Sequence, residues 1–413
     1  MYSDMPDRGI HRCLQSGAVL LAAMLLIASC GKNRSTELER QELFALDYGS
    51  FENQIDLFHL ESAYTRPDSQ LYMQDGIFYV SNSYAGKVLQ LTSFGDLLAL
   101  YYNPEKNDTV TFAAPDEKEK LMTRRAVPYP LNHPTYLTVT SKKRLFIADM
   151  LPEERVEYDQ AEDLALHNSV VCFNDSGDFV DSLGQEGGGG TPFPPIEGLY
   201  VTARDNLVVV CRTDKSSIVY WYDSSGNLLY KIPLVFSMLP SPYSSDQAVF
   251  STLDKAIPDF NTEKLYVKVD YYREEIDAST KVSAGVNYDT SYLYVFDIES
   301  TQYERKIEIK PYESVEETAT GSVHFEKVYN LLGVTAQNWC FLTTPIADGY
   351  LLKLMDLSSN KIHMCPLKVS YEELAYNAFS LSSTGILSAL ITRDDQAAFV
   401  WWRTDSIVGV SGQ

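Results

Sequence analysis

A run of four glycines at residues 187–190 is the first feature of this sequence that could do chemistry. It lies in Gly-Gln-Glu-Gly-Gly-Gly-Gly-Thr-Pro-Phe-Pro-Pro, residues 184–195, and glycine-rich loops can cradle a phosphate with backbone N–H groups. Nucleotide-binding loops of this kind also need a lysine and a following helix. Here the glycines follow the segment 179–183 and lead into Pro-Phe-Pro-Pro without a lysine. The pattern favours a connection between strands over a phosphate site.

Catalytic and metal-binding patterns are scarce. The six histidines are scattered, and neither His-Glu-x-x-His nor Gly-x-Ser-x-Gly occurs, so the zincin and nucleophile-elbow signatures are excluded. Acidic residues cluster at 153–163 and 274–277, but without the spacing of a calcium loop, and such runs are usually solvated surface. We therefore predict no catalytic residue, no metal site and no cofactor.

The N-terminus carries chemistry of another kind. Basic residues up to Arg12 precede the apolar run 18–27, and Ala28-Ser29-Cys30-Gly31 follows. This order is typical of a secretory signal, and Ile27-Ala28-Ser29-Cys30 resembles the bacterial lipobox. The resemblance implies cleavage between Ser29 and Cys30 and acylation of Cys30, and several acyl chains together anchor a protein stably in a membrane.

This N-terminus predicts both domain boundaries and location. We expect a signal peptide at residues 1–29, a lipidated tether at 30–42 and one domain at 43–413. The domain would be held by lipid to the inner or outer membrane of a bacterial envelope, either periplasmic or surface-exposed. The formal net charge of −22 repels phosphate backbones and argues against nucleic-acid binding.

Four further cysteines of the expected mature chain lie in apolar, strand-like segments: Cys172, Cys211, Cys340 and Cys365. Export permits disulfides, but no close pair occurs, and cysteine is often an inert core residue. We expect buried free thiols.

One repeated unit organises most of the chain: an apolar strand, a gap, a second apolar strand, a glycine turn and a third strand. It recurs at residues 74–100, 143–180 and 205–232. The turns Asn174-Asp-Ser-Gly177 and Asp223-Ser-Ser-Gly226 combine residues that tolerate positive φ with a glycine, which is a strong hairpin signal.

Weaker copies follow at residues 264–309, 339–365 and 385–410, the last with its final strand at 406–410, and each copy has a leading strand. Four short antiparallel strands repeated six times predict an all-β fold, a β-propeller with six blades of four strands. Two stacked β-sandwiches are the rival all-β architecture.

The connecting segment also carries a resemblance. Gly184, Gly187, Phe193 and Pro195, followed by an apolar strand, look like the inter-blade linker of NHL-type propellers. The block 168–232 also resembles an uncharacterised family of spirochaete lipoproteins predicted to be propellers. The resemblance implies the fold and an envelope location, with Phe193 wedged between blades, and it implies no catalytic residue.

Propeller topology predicts which surface is functional. Long connections at residues 103–134, 150–168, 183–195 and 271–291 should crowd one face, because all of them follow the second or fourth strand of a blade. Long loops on a rigid scaffold often bind partners. We expect a binding or scaffolding module that docks a protein or glycan on this face. The alternatives are a propeller-type hydrolase or lyase acting near the central channel, and a purely structural envelope protein.

Overall fold

The computed structural model describes residues 34–35, 37–58, 68–108, 110, 124–160, 162–243, 249–277, 279–280, 282–318, 321–373 and 375–409. Over these residues six antiparallel sheets, each with four principal strands, form a β-propeller. The expected fold is confirmed. Among the described residues, no helix is long and apolar enough to cross a membrane.

Strands are lettered A to D from the axis outward. Blade 1 consists of Leu71–Gln74, Ile77–Asn82, Lys87–Thr92 and Leu97–Tyr102, with a fifth, parallel strand Arg125–Pro128 outside it. Blade 2 consists of Leu137–Val139, Leu145–Met150, Asn168–Phe173 and Phe179–Gly184, with the short strand Gly187–Gly188 at its edge. The connection between its B and C strands holds the 3₁₀ turn Glu153–Arg155 and the hairpin Glu157–Asp159 with Leu164–Leu166.

Blade 3 consists of Ile196–Val201, Leu207–Arg212, Ser216–Tyr222 and Leu228–Val235, followed by the 3₁₀ turn Phe236–Met238. Blade 4 consists of Val249–Pro258, Lys264–Ile276, Ser283–Asp297 and Gln302–Ile309. A separate hairpin, Tyr312–Thr318 with Gly321–Lys327, connects it to blade 5.

Blade 5 consists of Asn330–Val334, Trp339–Ile346, Gly349–Asp356 and Ile362–Lys368, with Arg34–Ser35 parallel to its outer strand. After the 3₁₀ turn Tyr371–Glu373, blade 6 takes Asn377–Leu381, Leu387–Thr392 and Gln396–Trp402 from the C-terminal region.

The ring closes through the N-terminal region. Strand Arg40–Asp47 pairs with Gln396–Trp402 as the outer strand of blade 6. The prediction of a last strand at 406–410 is therefore wrong: Thr404–Ser406 is a 3₁₀ turn. Glu373 accepts hydrogen bonds from both Arg40 and Arg393, and the Arg40 guanidinium, as the largest influence, helps to lower the pKa of Glu373 to about 2. The strand begins at residue 40, within the segment expected to form the tether.

The core lies between blades. Each of the six junctions holds its own cluster of buried apolar side chains. Strands covered on both faces can carry continuous apolar runs, as at residues 207–211 of the strand Leu207–Arg212, because neither face meets water. The four cysteines expected to be free thiols are buried in these strands, and none is in a disulfide.

Candidate functional site

The propeller has two unlike rims. The A–B and C–D turns lie on one, which we call the tight rim. The B–C and D–A connections lie on the other, the loop-rich rim, because successive strands of a blade run antiparallel. The connections expected at 103–134, 150–168 and 183–195 all leave from the loop-rich rim.

The expected loop at 271–291 is different in kind. Most of it is strand, because Lys264–Ile276 and Ser283–Asp297 continue their pairing far beyond the blade. The prediction of a loop there is wrong, although the segment does project from the loop-rich rim. We call the extension 270–291 the long arm, and the hairpin Tyr312–Thr318 with Gly321–Lys327 the short arm.

The arms carry a concentration of exposed apolar side chains. Val286 is 52% exposed and Ile276 57% exposed. Seven exposed large apolar residues lie on the arms or on the adjoining start of the blade-4 A strand: Phe250, Ile276, Val282, Val286, Val315, Val323 and Phe325. Apolar side chains clustered on a projecting surface indicate an interaction site.

The base of the long arm is held rigidly by aromatic and charged side chains. The hydroxyls of Tyr271 and Tyr294 lie 2.9 Å apart. Arg273 forms an ion pair with Asp289 at 2.8 Å, and its guanidinium lies 4.6 Å from the ring centre of Tyr243. These contacts fix the base of the long arm to the propeller, so the arm is an ordered extension of blade 4.

The glycine run does not form a phosphate cradle. Gly187–Gly188 folds back on the preceding strand, with Gly184 opposite Gly187. The N–H groups of Gly189 and Gly190 donate to Ser182 and Gly187. The Glu186 carboxylate accepts from the N–H of Thr191 at 2.8 Å. These backbone N–H groups are therefore already hydrogen-bonded within the loop and its preceding strand.

The other predicted linker residues lie between blades 2 and 3. Phe193 is fully buried, and its ring packs edge-on against Tyr220 and Tyr222 of blade 3. Tyr222 also donates to the carbonyl of Gly184. A Cβ at Gly184 would lie 2.3 Å from the carbonyl oxygen of Gly190, so the close turn requires glycine. Pro195 accepts a backbone hydrogen bond from Arg212.

A cavity of about 310 Å³ follows the propeller axis. The A strands of all six blades line it. Its middle is largely aromatic and aliphatic, with Tyr72, Tyr200, Leu332 and Phe379 on the wall. Gln70, Tyr136, Glu197 and Lys255 lie towards the loop-rich rim, where the A strands begin.

β-Bulges change the direction of side chains at this mouth. The A strands of blades 3, 4 and 5 each carry one extra residue, namely Glu197, Asp254 and Leu332. Bulges occur often beside functional sites because they redirect a side chain. Here the blade-3 bulge places Glu197 on the channel wall, and the blade-4 bulge turns Asp254 towards Lys268 and blade 5.

A buried ion-pair network lies beside these bulges. The Lys268 side chain is fully buried, and its ammonium lies 2.6 Å from Asp270 and 3.1 Å from Asp254. Asp254 also accepts the backbone N–H of Leu331 in blade 5 at 2.9 Å. Burial raises the pKa of Asp270, against the attraction of Lys268.

Glu197 and Lys255 face the cavity next to this network. The Glu197 carboxylate lies 3.8 Å from Arg212, and burial raises its pKa despite that guanidinium. Burial lowers the pKa of Lys255, while Asp254 and Glu197 act in the opposite direction. A carboxyl and an amine with pKa values displaced towards each other are suited to proton transfer or ligand binding.

The opposite side of the mouth carries a second polar group. His133 Nε2 lies 2.5 Å from Asp68 Oδ2. Burial, reinforced by the charges of Glu197 and Asp68, raises the pKa of Tyr136. Burial, Asp68 and Tyr136 do the same for Tyr376. Titratable groups from blades 1, 2, 3, 4 and 6 thus converge on one mouth.

Other expectations have different outcomes. Ser29, Cys30 and the signal peptide lie outside the described residues. No group of three or more metal-ligating side chains occurs among the residues that the structure describes. The acidic cluster 153–163 is mostly exposed, as a solvated face would be. Among the described histidines, His133 pairs with Asp68 at the loop-rich rim, and His324 is exposed on the short arm.

Sequence reasoning missed Glu197, Lys255, Lys268 and His133 as a group. These residues are far apart in the chain, and each resembles an ordinary polar residue at the end of a strand. Lys268 and Asp270 offered the one local signal, because a lysine and an aspartate interrupt the otherwise apolar strand Leu265–Tyr271.

No protein-family model matches this sequence, and no curated protein matches it. Among solved structures, the chain is similar to the β-propeller domain of the trilobed protease from Pyrococcus furiosus, with 8% identity and a TM-score of 0.40 over 81% of this chain and 96% of that one. It is also similar to the polysaccharide lyase Uly1, with 7% identity and a TM-score of 0.40, over 89% of this chain and 99% of that one. A streptogramin B lyase is also similar, with 12% identity and a TM-score of 0.33, over 82% of this chain and 96% of that one. Similarities this weak carry no argument about activity.

Proposed function

We propose that this protein is a lipid-anchored envelope protein whose β-propeller binds a partner on its loop-rich rim. The observation that carries the proposal is the set of exposed apolar side chains on the two arms. Aliphatic groups such as Ile276, Val282 and Val286 offer no hydrogen bonds to sugar hydroxyls, but they can be buried against apolar protein surface. A protein partner is therefore favoured over a glycan.

The position of the N-terminal segment supports an orientation in which the loop-rich rim faces away from the membrane. Arg34 and Ser35 pair with His363 and Met364, at the start of a D strand and therefore near the tight rim. Arg34 is four positions after Cys30, and a chain of that length spans at most about 14 Å. A lipid on Cys30 would hold the tight rim near the membrane and turn the arms away from it.

Excision of the long arm tests the docking face. Residues 273–287 are replaced by Asn-Gly, which suits a two-residue hairpin between the paired residues Tyr272 and Tyr288. Tagged wild-type and excised proteins are purified from detergent-solubilised envelopes. The excised protein should lose a partner that the wild type retains.

A matched control is Phe94→Ser, since Phe94 is 83% exposed on a C–D turn of the tight rim. It should retain the partner. Identical partners from the wild-type and excised proteins would contradict the proposal. Separately, radiolabelled palmitate should enter the wild type but not Cys30→Ala, and equal labelling of both would contradict lipidation.

A hydrolase or lyase is the second candidate function, favoured by the titratable groups at the channel mouth. Glu197 lines the cavity, where it could exchange protons with a substrate, and His133, held by Asp68, lies on the same rim. Envelope polysaccharide fragments are incubated with wild type, His133→Ala and Glu197→Gln, and reducing ends and unsaturated products are measured. Turnover by wild type that both substitutions abolish would support an enzyme, and no turnover would count against it.

A further inference from the structure

The central channel has the dimensions and the lining of a small-molecule site. Its volume of about 310 Å³ is near the lower end of the range for ligand pockets. Half-buried rings of Tyr72, Tyr200 and Phe379 form part of the wall, together with Leu332. Such a wall favours a ligand with an apolar or aromatic ring, because rings pack well against aromatic side chains.

One cation at the loop-rich end of the cavity is unpaired. Lys255 lines the cavity, and among the described residues no ion pair or hydrogen bond involves its ammonium. The nearby carboxylates have other partners: Asp254 binds Lys268 and the N–H of Leu331, and Glu197 lies beside Arg212. A partly buried ammonium without a partner is costly, and an anionic group from a ligand would compensate for it.

The charge of the whole protein limits the kind of anion. A formal net charge of −22 repels polyanions at long range, while one ammonium in the channel can balance one negative charge. Carboxylates accept short, strong hydrogen bonds from ammonium groups. A ligand with a single carboxylate fits both conditions.

We propose that the channel binds a small monocarboxylate with an attached ring, whose carboxylate binds Lys255 and whose ring lies against Tyr200 and Phe379. The A-strand bulge in blade 3 prepares this wall. A Cβ at Gly198 would lie 2.8 Å from the ring and hydroxyl of Tyr200, so glycine here lets the tyrosine fold over the strand. The site is separate from the arms and does not depend on the proposed docking face.

Calorimetric titration of the full mature protein with phenylacetate and its neutral isostere phenylacetamide tests the charge requirement. Phenylacetate should bind at least about tenfold more tightly than phenylacetamide, as expected for one charge-assisted hydrogen bond. Equal affinities, or no binding of phenylacetate, would overturn the proposal.

Substitutions test the assignment to Lys255. Lys255→Met should remove the preference for phenylacetate, and Lys255→Arg should keep most of it. Lys143→Met is the matched control at the tight rim, where Lys143 pairs with Asp75 at 2.8 Å, and it should bind phenylacetate like wild type. An unchanged preference in Lys255→Met, or its loss in Lys143→Met, would overturn the assignment.

Gly198→Ala tests the ring. The added methyl group should displace Tyr200 and weaken phenylacetate and phenylacetamide by the same factor, about three- to tenfold, leaving the preference for the carboxylate intact. Thermal unfolding of each variant confirms that it is folded before titration. Affinities unchanged in folded Gly198→Ala would exclude Tyr200 from the site. Excision of residues 273–287 should leave phenylacetate binding unchanged, so the channel site and the docking face fail independently.

Discussion

The two rims of this propeller use polar residues in opposite ways. On the tight rim, exposed polar contacts join each blade to the next from blade 1 to blade 6. They are Lys143–Asp75, Ser141–Asp205, Arg204–Glu263, Asn261–Ala336 and Ala336–Ser383. On the loop-rich rim, charged groups are buried beside an open channel, and apolar groups project into solvent on the arms.

This contrast separates scaffold from site. Each exposed ion pair contributes little to folding stability. The contacts that join blades on the tight rim are therefore individually dispensable. Buried charges are costly unless they are well paired, and the loop-rich rim concentrates them where the channel opens. A costly arrangement concentrated on one rim indicates where function resides.

The largest difference between the rims should appear in Lys268→Met. Removing this buried ammonium leaves Asp254 and Asp270 without their cation, and loss of one partner from a buried pair costs about 3–5 kcal/mol. Lys143→Met, its exposed counterpart on the tight rim, should cost no more than about 1 kcal/mol. Urea unfolding measures both, and equal losses would contradict the contrast between the rims.

The second largest effect concerns Asp149, which accepts the backbone N–H groups of Asn132 and His133 at the loop-rich rim. Burial raises its pKa from 3.8 to about 6. The folded state therefore binds this proton more tightly than the unfolded state does. The stabilising contribution is full below about pH 4 and is lost as the pH rises through 6, by roughly 2–3 kcal/mol.

Asp149→Asn should remove that dependence. Chemical denaturation of wild type and variant at a series of pH values measures it. The stability of wild type relative to the variant should fall between pH 4 and 6. A constant difference over this range would show that Asp149 titrates normally.

Smaller effects are expected for single contacts of the tight rim. Asp205 accepts hydrogen bonds from the backbone N–H and hydroxyl of Ser141 at 2.8 and 2.7 Å, both exposed. Asp205→Ala should cost about 1–2 kcal/mol, because it removes these hydrogen bonds and places alanine at a φ of 57°, and it should leave partner binding unchanged. A loss of binding in a folded Asp205→Ala protein would give the tight rim a role that we do not assign to it.

The smallest effect on stability should come from the arms. Val286→Glu places a charge where solvent already reaches, so unfolding free energy should change by no more than about 0.5 kcal/mol. Partner binding should nevertheless weaken. A large loss of stability would show that Val286 belongs to the core rather than to a docking surface.

The sequence predicted what local chemistry determines. Turns such as Asn174–Gly177 and Asp223–Gly226 are recognisable because each ends in a glycine, which permits positive φ at little cost. In the structure, Gly177 and Gly226 have φ of 85° and 90°. The apolar strands between such turns then revealed the blades. Phe193 could be expected between blades because the linker pattern around it is contiguous.

The sequence does not predict features that depend on contacts between residues far apart in the chain. The strand Arg40–Asp47 pairs with Gln396–Trp402, about 350 residues further along the chain, and no local signal marks it as the closing strand. The sequence of the long arm predicts a loop because its polar and apolar residues do not bury a face. The channel mouth joins Asp68, His133, Glu197 and Lys255 only once the ring has closed.

Site-specific photo-crosslinking in intact cells can show which rim of the propeller contacts a partner. A photoreactive residue is placed at Val286 on the long arm, at Val323 on the short arm, and at Phe94 on the tight rim. We expect one shared protein adduct from positions 286 and 323 and its absence from position 94. The same adduct from position 94, or no adduct from either arm, would contradict the assignment of the loop-rich rim as the binding surface.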